Sequence, residues 1–230
     1  KVYPQVTYDE IPAGWLDDIL KEKLNISLSF INPAGEENVK YYEDYNYFED
    51  DFDIYIFSGE HSIWDCIKNN KLVRLDSDDY LEKYHDTFDL YKKSLKKNKK
   101  LTMERTGIEG IYGLPYGIDS CDKRGKEYFY ISIPESSQNK DKSMELLNYL
   151  YSIEGIMTLN YGPEEQGWKY IDDKFKVTDL GKKINKNPYD KIIESSKGKQ
   201  SLDDGGTISL FSLDKNIIKS FETGGVLNEK

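Results

Sequence analysis

The segment FDIYIF, Phe52 to Phe57, limits the fold more than any other stretch of this chain. It is short, β-branched and aromatic, the pattern of a buried strand. A helix follows it at once: in SGEHSIWDCIKNNKLVRLD, the residues Ile63, Trp64 and Ile67 share one helical face before an extended exit to Asp76. A buried strand feeding a helix demands layers, so the neighbouring segments are expected to alternate strand and helix.

The chain upstream obeys that expectation. KVYPQV is strand-like, and WLDDILKEKL carries Trp15, Leu16, Ile19, Leu20 and Leu24 at helical spacing behind Pro12 and Gly14. ISLSFI, Ile26 to Ile31, alternates apolar and polar residues and predicts a strand. The acidic, tyrosine-rich PAGEENVKYYEDYNYFEDD reads as a loop or marginal helix. The order β-α-β-loop-β-α implies a parallel or mixed sheet with right-handed crossovers.

Downstream, DDYLEKYHDTFDLYKKSLKKN continues as helix and IYGLPYG returns as a strand. A short polar turn around Asp122, Lys123, Arg124 and Gly125 then leads into a further strand, EYFYISIP. SSQNKDKSMELLNYLYS is a helix with an apolar face of Met144, Leu147, Leu150 and Tyr151, announced by Ser and Asn caps. IEGIMTLNYG is a second short helix. WKYI and FKVT form a hairpin turning at Asp172 and Asp173. From Ile184 onward the chain is polar and Gly-rich around DDGGT, with ISLFSL as one late strand.

Composition narrows the partners. A formal net charge of −10 repels phosphate backbones and anionic surfaces, so nucleic acid is not expected as a partner. The basic run YKKSLKKNKK, with Leu90 and Leu95 among the charges, reads as the solvated face of a helix. Nineteen tyrosines against nine phenylalanines give polar-tipped aromatic surface suited to sugars, although a coding bias would enrich Tyr, Lys and Asn equally well. No apolar run approaches a membrane span. Cys66 and Cys121 lack metal-ligand spacing and are read as two free thiols or one disulfide, and His61 and His85 as isolated structural histidines. No cofactor or metal is expected.

The segments FDIYIFSGE, IWDCIKNNKLVRLDSDDYLEKY, EGIYGLPYG and KSMELLNYLYSIEGIMTLNYGPEEQGWKYIDDKFKVTDLGKK, in this order, resemble the extracellular solute-binding proteins of carbohydrate ABC importers, the lipoprotein branch of family 1. The last segment is the most specific. The resemblance implies an α/β fold of the type II periplasmic-binding-protein kind: a lobe with a central mixed, mostly parallel sheet flanked by helices. It assigns residues 1–190 to lobe one and 191–230 to a C-terminal extension. It further implies that the second lobe, expected between about residues 119 and 127, is replaced here by IDSCDKRGK.

On that resemblance the chain is a non-catalytic extracellular component, lipid-anchored to the cell membrane, that takes a mono- or oligosaccharide and meets transporter permease subunits. Ligand contacts are expected on loops at the carboxyl ends of the strands. They are Tyr8 and Glu10, then Ser58, Gly59 and Glu60, then Tyr116 and Asp119, with Tyr161, Glu165 and Trp168 of NYGPEEQGW as a second group. Carboxylates accept hydrogen bonds from paired hydroxyls, and Tyr and Trp faces stack on sugar C–H surfaces. Ser58 and Gly59 can also donate backbone N–H groups at a helix start. Trp15 and Trp64, on apolar helix faces, are expected in the core. Two other classes compete. One is a single-lobe interaction or self-association module. The other is a thiaminase-like enzyme using Cys121 as nucleophile near Asp119.

Overall fold

A computed structural model describes residues 2–4, 15–28, 52–58, 60–90, 92–116, 129–171, 174–186, 192–195 and 198–201. The chain is mixed α/β with small sheets and divides into two compact units. The first comprises Lys1–Glu10 and Leu28–Asn148, the second Ile11–Ser27 and Tyr149–Lys230.

In the first unit, β1 (Val2–Pro4), β2 (Ile54–Ser58), β3 (Leu114–Tyr116) and β4 (Phe129–Ser132) form one sheet in the order β1-β2-β4-β3. FDIYIF is the central strand its composition predicts: Ile54, Tyr55, Ile56 and Phe57 are all buried, so both faces of β2 are covered. Tyr55 and Phe57 face a cluster with Phe52, Ile63, Trp64, Cys66, Ile67, Leu72 and Tyr130, against which Leu101, Ile108 and Tyr112 pack. Trp64 is thus a core residue, its ring 5.8 Å from that of Tyr130. The side chain of Trp15 lies outside the described residues.

The sheet is mixed but not mostly parallel. β1 pairs with β2 in parallel, whereas β2 with β4 and β3 with β4 are antiparallel. The reason is that β4 enters between β2 and β3 and runs against both. ISLSFI, the expected further strand, is not one over its described part, Ile26 to Leu28. Asn25, at φ 53°, instead ends the preceding helix, and the amides of Asn25 and Ile26 donate back to the carbonyls of Lys21 and Leu20. This left-handed helix stop overrides the local alternation.

Helices follow where the sequence places them, except the last, DLGKKINK, which lies in a stretch expected as loop, hairpin and polar tail. They are α1 (Trp15–Leu24), α2 (Glu60–Lys68), α3 (Asp78–Lys83), α4 (His85–Leu90), α5 (Lys92–Thr106), α6 (Lys140–Tyr151), α7 (Ile153–Tyr161) and α8 (Asp179–Lys186). The long helix expected from Asp78 onward is broken at Tyr84, whose backbone leaves the helical range at φ −124°, ψ 30°. α2 ends on Asn70 at φ 53°, with the Lys71 amide donating to the Cys66 carbonyl at 2.9 Å. In α5, Leu95, Asn98 and Thr102 turn inward while Lys96, Lys97 and Lys100 are exposed, the solvated face the charge pattern predicts.

The second unit is knit around α7. Ser152 caps it, its Oγ accepting from the Gly155 amide at 3.1 Å, and residues Gly155 to Tyr161 are buried. A tight turn then brings the Gly167 amide to the Pro163 carbonyl at 2.7 Å. β5 (Trp168–Ile171) and β6 (Lys174–Val177) pair as the predicted hairpin, with Ile171 opposite Lys174. Thr178 caps α8 by accepting from the Gly181 amide at 3.0 Å. A second hairpin, β7 (Ile192–Ser195) with β8 (Gly198–Ser201), lies in the polar stretch after Ile184, where only ISLFSL was expected as a strand, and ISLFSL is outside the described residues.

Candidate functional site: the carboxyl end of the four-stranded sheet

Strand direction decides where the sheet is open. β2 and β3 both run against β4, and β1 runs with β2, so the carboxyl ends of β1, β2 and β3 lie at one end of the sheet. The carboxyl ends of the strands are where open α/β sheets place ligand sites. The register sets Ser58, Phe129 and Tyr116 in one row there: Ser58 opposes Phe129, and Phe129 opposes Tyr116.

Three expected contacts are therefore placed at this end by backbone position. Ser58 is the last residue of β2, Glu60 the first of α2, and Tyr116 the last of β3. Tyr8, Glu10, Gly59 and Asp119 lie outside the described residues, as does Cys121. Phe129, the first residue of β4, was not singled out in the sequence. Its signal was its place immediately after the polar turn, which only the register converts into a neighbour of Ser58 and Tyr116. Residues 117–128, which connect the adjacent strands β3 and β4 and include IDSCDKRGK, lie outside the described residues.

The chemistry available is that of polar recognition. α2 starts here, and its first backbone N–H groups have no partner within the helix. Glu60 at its first position suits the helix dipole and disfavours an anionic ligand. The sequence adds an aromatic pair, Phe129 and Tyr116, to a hydroxyl and a carboxylate.

The opposite end of β2 is closed. The Asp53 carboxylate accepts from Ser137 Oγ at 2.8 Å and from Asn139 Nδ2 at 3.1 Å, while Ser143 Oγ donates to its backbone carbonyl at 3.2 Å. Burial acts to raise the Asp53 pKa, and hydrogen bonds, those from Ser137 and Asn139 among them, act to lower it, leaving the carboxyl below its ordinary value. Asp76 is a second such anchor. It accepts from Arg74 Nε at 2.8 Å, the Ile111 amide at 2.9 Å and Lys99 Nζ at 3.2 Å. Again burial opposes ionisation and the donors win, so its pKa is lowered. Both networks tie segments distant in sequence and serve the frame.

The second expected group behaves differently. Tyr161 is the last residue of α7 and 1% exposed, and Trp168 opens β5 at 2% exposed, its ring 5.6 Å from that of Phe175. Neither presents a face for stacking. Glu165 alone is exposed, at φ 66° and with Lys169 Nζ 3.0 Å from its carboxylate. The hairpin instead exposes Tyr170, packed on Phe175 with centroids 4.9 Å apart.

Cys66 is buried and unpaired by any disulfide, and burial, aided by Asp65, pushes its thiol up to about 12, far from nucleophilic use at neutral pH. His85 is exposed. Among the described residues no three His, Cys, Asp or Glu side chains converge as metal ligands, and no helix is long and apolar enough to cross a membrane. No family model, curated protein or solved structure matches this chain.

Proposed function

We propose that this chain is the ligand-bearing lobe of an extracellular solute-binding protein of an ABC importer, and that it takes a carbohydrate at the carboxyl end of its sheet. The observation that carries the reading is the row Ser58, Phe129, Tyr116, with Glu60 beside it. Those positions combine aromatic stacking surface with hydroxyl and carboxylate hydrogen bonding, the pairing that neutral polyols require. An acidic chain with Glu60 at the helix start favours a neutral or cationic solute over a phosphorylated one.

In this reading the frame is a type II periplasmic-binding-protein lobe. β3 carries the chain out of the sheet and β4 returns it beside the same row, where a second lobe would meet the ligand. Tyr8, Glu10, Gly59 and Asp119 complete the contacts. The protein works outside the cell, lipid-anchored, delivers its solute to permease subunits and catalyses nothing.

The test is titration calorimetry with a panel of mono- and oligosaccharides, using the intact chain and the variants Tyr116→Ala and Glu60→Gln. A saccharide that binds, and that loses about tenfold or more in affinity in each variant, supports the reading, because each substitution removes at least one good contact. A saccharide that binds both variants as tightly as the parent would move the site elsewhere. Association that depends on protein concentration and ignores every sugar would favour the self-association reading.

A further inference from the structure

The charge of this protein is unevenly spread. Against a net −10 for the chain, α5 (KKSLKKNKKLTMERT) carries Lys92, Lys93, Lys96, Lys97, Lys99, Lys100 and Arg105, with Glu104 its single acid. One side of the helix is spent on the fold: Leu95, Asn98 and Thr102 are buried, and Leu101 packs against the core cluster. Lys99 is spent too, its ammonium 3.2 Å from both Asp76 and Glu109. Lys96, Lys97 and Lys100 are left pointing outward.

The spacing Lys96, Lys100, Met103 follows i, i+4, i+7 and runs along a single side of the helix. Met103 is 50% exposed, one of few large apolar side chains so exposed among the described residues. Lys100 lies 3.6 Å from Glu104 with both groups mostly in solvent, a weak pair. Lys96 and Lys97 have no ion-pair partner among the described residues.

We propose that this outer face of α5 is a docking surface for anionic phospholipid. Three features select that occupant. The face is built from lysines, hydrated point charges without the guanidinium fork that fixes a defined carboxylate or phosphate, and so suits a field of mobile headgroups. Basic side chains gathered on the polar face of a helix are a footprint of anionic lipid recognition, and Lys96, Lys97 and Lys100 gather on this one. Met103, set among the lysines, adds an apolar contact at headgroup depth.

The acidic remainder of the chain does not prevent this. Exposed charges are screened beyond roughly 10 Å at ordinary ionic strength, so the lysine face acts locally and fixes the orientation of approach. Because the apolar side of α5 is committed to the core, the helix adsorbs without inserting. Binding is therefore reversible and strongly salt-dependent. It is independent of the sugar-binding reading above.

Sedimentation with phosphatidylcholine vesicles, with and without a one-third share of phosphatidylserine, tests the assignment on the full chain. The parent is expected to pellet with the serine-containing vesicles at low salt, and to be released at about 0.5 M salt. The charge reversal K96E/K97E/K100E is expected to weaken binding roughly a hundred-fold or more. K96Q/K97Q/K100Q, a milder change on the same exposed positions, is expected to weaken it by roughly tenfold or more. K21E/K176E/K183E applies the same change in net charge on other elements and should leave binding within about threefold, and Met103→Ser should cost a few-fold. The proposal is overturned if the parent ignores serine-containing vesicles, if the two reversal variants weaken equally, or if the glutamine variant binds like the parent. Binding to polyglutamate in place of vesicles would overturn it as well and assign the face to an acidic protein.

Discussion

The two compact units are held together by different chemistry. In the sheet unit, two carboxylates, Asp53 half-buried and Asp76 buried, gather donors largely from distant segments: Asp53 from Ser137 and Asn139, Asp76 from Lys99, the Ile111 amide and the nearby Arg74. In the second unit, main chain meets main chain. A Cβ on Gly167 would run into the carbonyl oxygen of Tyr161, and one on Gly181 into that of Gly167. Thr178 closes the arrangement by donating to the Gln166 carbonyl at 2.6 Å. Side-chain networks can be titrated and loosened by degrees, whereas a backbone contact with no room for a methyl group is kept or lost.

The largest expected effect comes from breaking the backbone contact. Gly167→Ala should destabilise by about 3 kcal/mol or more, since the intruding methyl meets backbone and cannot be relieved by a rotamer change. Hydrogen exchange should show the loss in β5, β6 and α8. A loss below about 1 kcal/mol in denaturant unfolding would mean that this packing yields as readily as a side chain does.

Asp76→Ala comes next. It strands the Ile111 amide and removes the partner of Arg74 and Lys99, at a cost of about 2–3 kcal/mol. Exchange should quicken at Ile111 and Leu75, whose amides flank the carboxylate, and leave β5 and β6 protected. Equal loosening of both units would erase the distinction between them.

Acid sharpens the comparison further. The folded pKa values of Asp53 and Asp76 are both lowered, so the stability they confer is full above about pH 4 and is lost as pH falls through their folded values. Protection factors for β2 and β4 should therefore fall as pH drops below about 4, before those of β5 and β6. At high pH the order is not diagnostic, because both units contain groups that must stay protonated. Lys23 is raised chiefly by its hydrogen bond to Glu154, 2.8 Å away, and Tyr149 by burial in the second unit, while Cys66 is raised by burial in the first. Their contributions are present below the unfolded values and are lost as pH rises through the folded ones.

The smallest expected change is a gain. Glu165 sits at φ 66°, a left-handed backbone, and its side chain is exposed. Glu165→Gly should stabilise by up to about 1 kcal/mol, read as a small rise in the unfolding midpoint. A loss would show that the Lys169 pair outweighs the backbone strain.

Much of this was legible where the signal is local. FDIYIF reads as a buried strand because every position is apolar apart from Asp53, and that Asp proves to be the anchor at its amino end. WKYI and FKVT read as a hairpin because two aspartates interrupt two apolar-alternating runs. ISLSFI misled over its described part, Ile26 to Leu28, for the same reason: its alternation is local, but Asn25 just before it is a helix stop that the pattern alone does not rank above a strand.

The aromatic residues show the limit most clearly. The resemblance points to Tyr161 and Trp168 as ligand contacts, yet both are buried, while Tyr170, two residues past Trp168, is 53% exposed. An aromatic ring serves a core or a ligand equally well, and only its neighbours decide which.

The chain's periodicities, caps and turn residues by themselves determined that strands and helices would alternate, where most of them begin, and that α5 would turn its lysines outward. Those signals act over a few residues and need no knowledge of the rest. Strand pairing was decided only in three dimensions: β4 inserts between β2 and β3, makes two of the three pairings antiparallel, and sets Ser58, Phe129 and Tyr116 in one row. The physical reason is that the ladder between β2 and β4 joins residues more than seventy positions apart, and any apolar strand of suitable length satisfies such a ladder. Choosing among partners falls to the packing of the whole layer.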